Sequence, residues 1–302
     1  QDISGWNMGK VTITFGMFNG ATSFNQPIGD WSMGSVTIAG NMFDDATSFN
    51  QYIGYWDISD ATRTDIFKNT ALHNDNSGST GLYKGITIGG DHFFSKHRLT
   101  DANFKNAIDS NDYDWSDNYG PIEKWDTRGV TDMSGAFKDN FTTFNEDISE
   151  WNMESVTDTS EMFQDATSFN QPIGDWSMGS VTDTSGMFQD ATVFNQPIGE
   201  WNMGSVTDTG SMFQGASMFN EDISGWNMGS VENTSRMFQD TSFNQPISDW
   251  SMGSVKNTSG MFQNATVFNQ PIVDWSMGSV TDTGSMFQNA TVFNQPIVDW
   301  SM

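Results

Sequence analysis

Tryptophan returns about every 25 residues in this chain, at Trp6, Trp31 and Trp56, then at Trp125, Trp151, Trp176, Trp201, Trp226, Trp250, Trp275 and Trp300. A period of 20 to 29 residues with apolar side chains at fixed offsets restricts the chain to stacked-coil architectures, in which each copy is one structural unit. A single copy has too little apolar surface to offset the entropy of ordering itself. It must bury both flat faces against its neighbours. The step lengthens by one before Trp151 and shortens by one before Trp250. Such slips belong in a connecting loop.

The copy FNQPIGDWSMGSVTDTSGMFQDATV at residues 169–193 states the pattern. Trp176 and Met178 are two apart, so an extended DWSM turns both inward and Asp175 and Ser177 outward, which predicts a short strand. Val181, Thr184, Met187 and Phe188 follow at helical spacing, with Ser180 and Asp183 placed as a capping box. Phe194 and Ile198 are expected to face in, with Pro197 restraining the return bend. These readings give an α/β repeat solenoid of leucine-rich-repeat type, with one short parallel strand and one short helical segment per coil. The alternative is an all-β parallel solenoid.

The beat fails between Trp56 and Trp125. This predicts a first array of about three coils over residues 1–74, an insertion or linker over 75–98, and a second array over 99–302. The segment LTDANFKNAIDS reads as an amphipathic helix near 100–109, started by Thr100 and presenting Leu99, Phe104 and Ile108, that closes the open end of the second array. The three histidines, His73, His92 and His97, fall in or beside the insertion. With Asp91 they match no strong metal motif, and the segment reads as a solvated linker.

Composition removes whole classes of function. There are 12 Lys and Arg against 38 Asp and Glu, a formal charge of −26, which repels nucleic acid and anionic membrane. Aromatic residues at 14% exclude a disordered acidic tail. The absence of cysteine excludes disulfides, thiolate metal sites and a thiol nucleophile. No apolar run reaches the roughly 18 to 20 residues of a membrane span. No Ser/His/Asp arrangement or phosphate loop occurs, and the many carboxylate pairs arise because every copy supplies them. The expectation is a protein that is not an enzyme.

Two columns stand out. Asn170, Asn195, Asn220, Asn244, Asn269 and Asn294 hold one place in successive copies and read as a structural amide ladder that satisfies turn backbone. Asp30, Glu150, Asp175, Glu200, Asp249, Asp274 and Asp299 precede the tryptophan and are expected to project from the strand face. Like charges repeated about every 4.8 Å need screening or bridging, so this face is a candidate ligand or ion surface with Ca2+ or abundant salt as companion. Sugars or the basic patch of another protein are alternative ligands. Threonine pairs such as Thr182 and Thr184 raise ice binding as a minor alternative, although the register turns Thr184 inward.

VTDMSGAF, FNEDISEWNMESVTDTSEMF and FNQPIGDWSMGSVTDTSGMF resemble the repeats of BspA-like leucine-rich-repeat surface proteins of the mycoplasma-lipoprotein type, over nearly the whole chain outside residues 75–98. The resemblance implies an extracellular or cell-surface protein used as an adhesin or structural scaffold, with a protein or glycan partner and no catalytic residues to carry over. Two departures matter. The methionine of VTDM is kept at Met133 and becomes Thr at Thr159, Thr184, Thr209, Thr234, Thr258 and Thr283, and the first array has Ile13 and Ile38 where most later copies carry Asp. With Phe15 beside them, these suggest that something covers that side of the first array. The chain begins and stops in mid-phrase, so its ends are expected to be covered by further coils of a longer chain or by the next subunit of a filament.

Overall fold

The structure, a computed structural model, describes residues 3–29, 31–49, 51, 53, 56, 58, 61–62, 64–70, 81–83, 86–88, 98–109, 122–297 and 300. The chain divides into two compact units, one of Gln1–Arg98 with Asp112–Pro121 and one of Leu99–Asn111 with Ile122–Met302. Its regular elements are few. Strands β1 (Gly81–Tyr83) and β2 (Ile86–Ile88) pair antiparallel, with Leu82 opposite Thr87. Strand β3 (Arg98–Thr100) pairs with β4 (Asp126–Gly129), and helix α1 spans Asp101–Asp109. His73, Asp91, His92 and His97 lie outside the described residues.

In the second unit, successive copies lie in register on one another. Parallel bridges run through Asp132, Asp158, Asp183, Asp208, Asn233, Asn257 and Asp282. Around Asp183 the N–H groups of Thr184, Gly186, Phe188 and Asp190 donate to the carbonyls of Asp208, Gly210, Met212 and Gln214 at 2.7–3.0 Å. The intervening N–H groups turn inward on their own copy: Met187 donates to Thr184, Gln189 to Gly186 and Ala191 to Phe188. Alternate backbone groups therefore serve the neighbour and the local turn, and none of this run needs water to be satisfied.

Helical spacing is produced here by those i to i+3 turns. Gly186 and Asp190 have φ of +62° and +57°, and each copy repeats a left-handed residue at these two positions. A right-handed helix cannot continue through them. At the second position the residues are Asp139, Asp165, Asp190, Gly215, Asp240, Asn264 and Asn289, the types that tolerate this conformation best. The capping box expected at Ser180 and Asp183 is not made. The Asp183 carboxylate instead accepts the Ser185 N–H at 2.8 Å, while the Ser180 hydroxyl donates to the Glu154 carbonyl at 2.8 Å. The DWSM stretch keeps its alternation, with Trp176 and Met178 buried and Asp175 and Ser177 exposed. It is not where copies pair: no strand is assigned within residues 151–297, and only in the first copy, with β3 beside it, does the matching stretch become β4.

The interior is a set of columns. Val181, Thr184, Met187, Phe188, Ala191, Phe194 and Ile198 are fully buried, as are most counterparts in the inner copies. Phe188 and Phe194 stack within the copy at 3.9 Å, and Phe188 stacks on Phe213 at 5.7 Å. Trp176 and Trp201 lie 6.5 Å apart and within 4° of parallel. From Trp151 to Trp300 each indole N–H crosses to the preceding copy, as from Trp201 to the Ile173 carbonyl at 3.0 Å, so the bulkiest side chain also has its polar atom satisfied. Between Trp176 and Trp275 these rings are 2–4% exposed and offer no open face to a sugar.

One end of the second unit is closed by α1. Phe104, Ala107 and Ile108 are buried, and Phe104 meets Trp125 and Trp151 edge-on at 6.5 and 5.7 Å. Before the helix, Asn103 accepts the Thr100 N–H at 2.7 Å, closing the first turn from within. The Asp101 carboxylate accepts both the N–H and the hydroxyl of Thr131 and the N–H of Asp132. Burial raises its pKa, and these hydrogen bonds outweigh that effect and hold it below the ordinary carboxylate range.

The first unit repeats the same construction over three copies. Ile13, Ile38 and Thr62 form its parallel bridges, and Thr14, Gly16, Phe18 and Gly20 donate to Ile38, Gly40, Met42 and Asp44. Trp6 stacks on Trp31, and Trp31 on Trp56, at 6.1 Å and 1° from parallel. Ile13 and Phe15 are 59% and 61% exposed, so among the described residues the side expected to be covered is open.

Two measurements check this account. Phe188→Ala is expected to cost about 3–5 kcal/mol, read as a lowered urea midpoint. Ser211, left-handed with φ +56°, makes the subtler test: Ser211→Val lowers stability by about 1–2 kcal/mol while Ser211→Gly does not. For the cap, the sign follows from the depressed Asp101 pKa. Its contribution is complete above the unfolded value near 3.9 and disappears as pH falls through the lower folded value. The stability difference between Asp101→Asn and the parent chain is therefore expected at pH 6 and vanishes in strong acid.

Candidate acidic ligand face

The column before the tryptophan lies on the surface. Glu150, Asp175, Glu200, Asp249 and Asp274 are exposed, while Asp30 and Asp299 lie outside the described residues. Two of the column, Asp175 and Glu200, share a groove of about 690 Å³ that crosses several copies. Pro172, Pro197, Gly174 and Gly199 line it, and Glu221 and Asp222 complete its acidic wall. Glu150, Asp249 and Asp274 are outside that lining.

Glu221 and Asp222 escaped the sequence reading. In their copy FNEDISGW replaces FNQPIGDW, so the acid before the tryptophan becomes Gly225 and two acids stand where most copies have Gln and Pro, as Glu146 and Asp147 also do. That exchange was the available signal. Asp222 accepts the Ser224 N–H at 2.9 Å, and hydrogen bonds from the Ser224 backbone and side chain hold its carboxyl below the usual range. The groove owes its shape to close backbone approach. A Cβ on Gly174 or Gly199 would lie about 2.4 or 2.5 Å from the carbonyl oxygens of Pro197 and Asp222.

Four carboxylates and no basic side chain line this groove. It offers acceptors to cations and to sugar hydroxyls, with proline rings for apolar contact. Among the described residues no group of three or more His, Asp or Glu side chains is arranged to hold a metal ion.

The asparagine column makes a continuous set of bonds. The side-chain oxygens of Asn145, Asn170, Asn195, Asn220, Asn244 and Asn269 accept the backbone N–H of Asn170, Asn195, Asn220, Asn244, Asn269 and Asn294 in turn, all at 2.8–2.9 Å. Glutamine adds a second tie where it follows, as from Gln196 to the Asn170 carbonyl at 2.8 Å. The threonines divide likewise. Thr182 is exposed with its hydroxyl on the Thr157 carbonyl, and Thr184 is buried with its hydroxyl on the Asp208 carbonyl, so a Thr-x-Thr pair does not share one outer face.

On another edge the left-handed residues bring Asp139, Asp165 and Asp190 into succession. Burial raises the Asp165 pKa, the charges of Asp190 and Asp139 raise it further, and Lys138 offsets part of this. A carboxyl with a raised folded pKa weakens folding at neutral pH, and the penalty fades as pH falls through that value. Asp165→Asn is therefore expected to raise the melting temperature at pH 7, with the advantage shrinking on acidification. A lowered melting temperature at pH 7 would contradict the repulsion.

A family model described as "Mycoplasma protein of unknown function, DUF285" matches residues 1–80, 102–226 and 196–300. No curated protein and no solved structure matches the chain. No helix among the described residues is long and apolar enough to cross a membrane.

Proposed function

The chain belongs to that Mycoplasma repeat family, and we propose that it works as an extracellular or cell-surface repeat protein, a non-enzymatic adhesin or structural scaffold. On this reading the stacked copies form a leucine-rich-repeat-like solenoid whose repetition supplies area rather than a reaction centre. The observation that carries it is the division of labour within each copy. Most buried positions and backbone bonds recur from copy to copy, while Glu221 and Asp222 replace Gln and Pro at a half-buried and an exposed position. A binding surface can be varied in this way without disturbing the fold.

The groove beside Asp175 and Glu200 favours a cationic partner: the basic patch of a protein on a cell or matrix surface. A second reading, a calcium- or glycan-binding module on the same face, draws on its carboxylate acceptors. End-to-end stacking with further copies of the chain into a fibre belongs to the scaffold reading. Ice binding has the weaker footing, because Thr184 is buried.

Protein and glycan arrays probed with the chain test the proposal. Hits on basic protein surfaces are expected, and their loss in the combined variant Asp175→Asn, Glu200→Gln, Glu221→Gln, Asp222→Asn places them on this groove. Hits that survive all four changes contradict the assignment. Calcium calorimetry separates the second reading: several sites with a raised melting temperature favour it, and no heat favours the bare scaffold.

A further inference from the structure

The acidic groove is framed by a change of copy that happens once in the chain. In the column of Pro172 and Pro197, the copy before has Asp147, the copy after has Asp222, and proline returns at Pro246, Pro271 and Pro296. The order acid, proline, proline, acid occurs nowhere else in this column. All four residues are exposed, and Ser149 at one end and Asp222 at the other line the groove with the two prolines. Asp175 and Glu200 stand along one side, and Gly225 takes the acid's place in the next copy.

Both acids of this frame are anchored. The Asp147 and Asp222 carboxylates accept the N–H groups of Ser149 and Ser224 at 3.0 and 2.9 Å, so each is held in place by the chain two residues on. They stand three copies apart, which is about 14 Å at about 4.8 Å per copy. An extended peptide advances about 3.3 Å per residue, so that span takes about four steps. Its first, third and fifth side chains then share one face, and the third falls over the two prolines. Exposed proline rings make a flat apolar floor for an aromatic side chain. With carboxylates at both ends and no basic side chain in the lining, each end selects a cation.

We propose that these four copies bind one extended peptide segment of a basic partner protein, with Lys or Arg at its first and fifth positions and an aromatic residue at its third. The basic ends pair with Asp147 and Asp222, the ring lies across Pro172 and Pro197, and Asp175 and Glu200 flank the segment on one side. This rests on the reading of the groove as the site of a basic protein, and adds to it the spacing that the groove selects.

A fluorescein-labelled peptide, Gly-Arg-Ser-Tyr-Ser-Arg-Gly, is the probe, titrated with the 302-residue chain and read by fluorescence anisotropy. Saturable binding is expected. It weakens about tenfold when the arginines move beside the tyrosine, as in Gly-Ser-Arg-Tyr-Arg-Ser-Gly, and when alanine replaces the tyrosine, two changes that leave the chain itself untouched. Asp147→Asn or Asp222→Asn in the chain weakens it similarly, and Asp249→Asn, at an exposed acid outside the groove, does not. Equal binding of the two arginine spacings, lost in the combined variant Asp175→Asn, Glu200→Gln, Glu221→Gln, Asp222→Asn, overturns the spacing and leaves the basic-partner reading standing. Binding that survives that variant overturns both. No saturable binding at millimolar peptide overturns the peptide site, and array hits on folded basic proteins then judge the broader reading alone.

Discussion

Everything regular in this protein depends on one arrangement of the backbone: alternate N–H groups in each turn run donate to the next copy, and the ones between close turns within their own. The N–H groups of Gly186, Phe188 and Asp190 reach Gly210, Met212 and Gln214, while those of Met187, Gln189 and Ala191 stay at home. Such alternation requires the chain to reverse direction every few residues, and the left-handed residues at 186 and 190 perform that reversal. The requirement explains why Asp, Asn or Gly follows the glutamine in QDA, QNA and QGA. It fits equally with the constancy of the aromatic positions inside, because columns packed ring on ring leave little slack for a larger or smaller neighbour.

Polar side chains extend the same logic. Asparagine oxygens, indole N–H groups and many serine and threonine hydroxyls satisfy a backbone group in an adjacent copy. Chemistry open to a partner is left to what points away: carboxylates, prolines and the occasional aliphatic residue. With a net charge of −26, that outer layer favours cations, and mutual repulsion among its members works against the stack that displays it, as at Asp165.

Much of the interior was legible because burial leaves a direct trace in the period. Trp176, Met178, Val181, Thr184, Met187, Phe188, Phe194 and Ile198 were read as inward, and all are buried. The local conformation was not legible. Turns closed from i to i+3 put apolar residues at the spacing of a helix, and nothing in SVTDTSGMF distinguishes the two except the glycine at 186, whose place is taken by Glu161, Ser211 and Arg236 in other copies. The carboxylate of Asp183 was assigned to a cap and serves the Ser185 N–H, two residues on, because the chain turns before a helix can begin. For the candidate face, Asp175 and Glu200 were visible as a column, whereas Glu221 and Asp222 lie off that column, where Glu-Asp replaces Gln-Pro as it also does at Glu146 and Asp147.

Amide hydrogen exchange tests the central claim most directly, because the proposed bonds alternate along a short stretch of chain. The N–H groups of Gly186, Phe188 and Asp190 and those of their counterparts Ser211, Phe213 and Gly215 are predicted to exchange slowly, because each lies on the next copy's carbonyl. Protection is predicted to fall together in both sets when Phe188→Ala loosens the stack between them. Rapid exchange at 186, 188 and 190 beside slow exchange at Met187 and Gln189 would show local turns without a bonded neighbour, and would contradict the account.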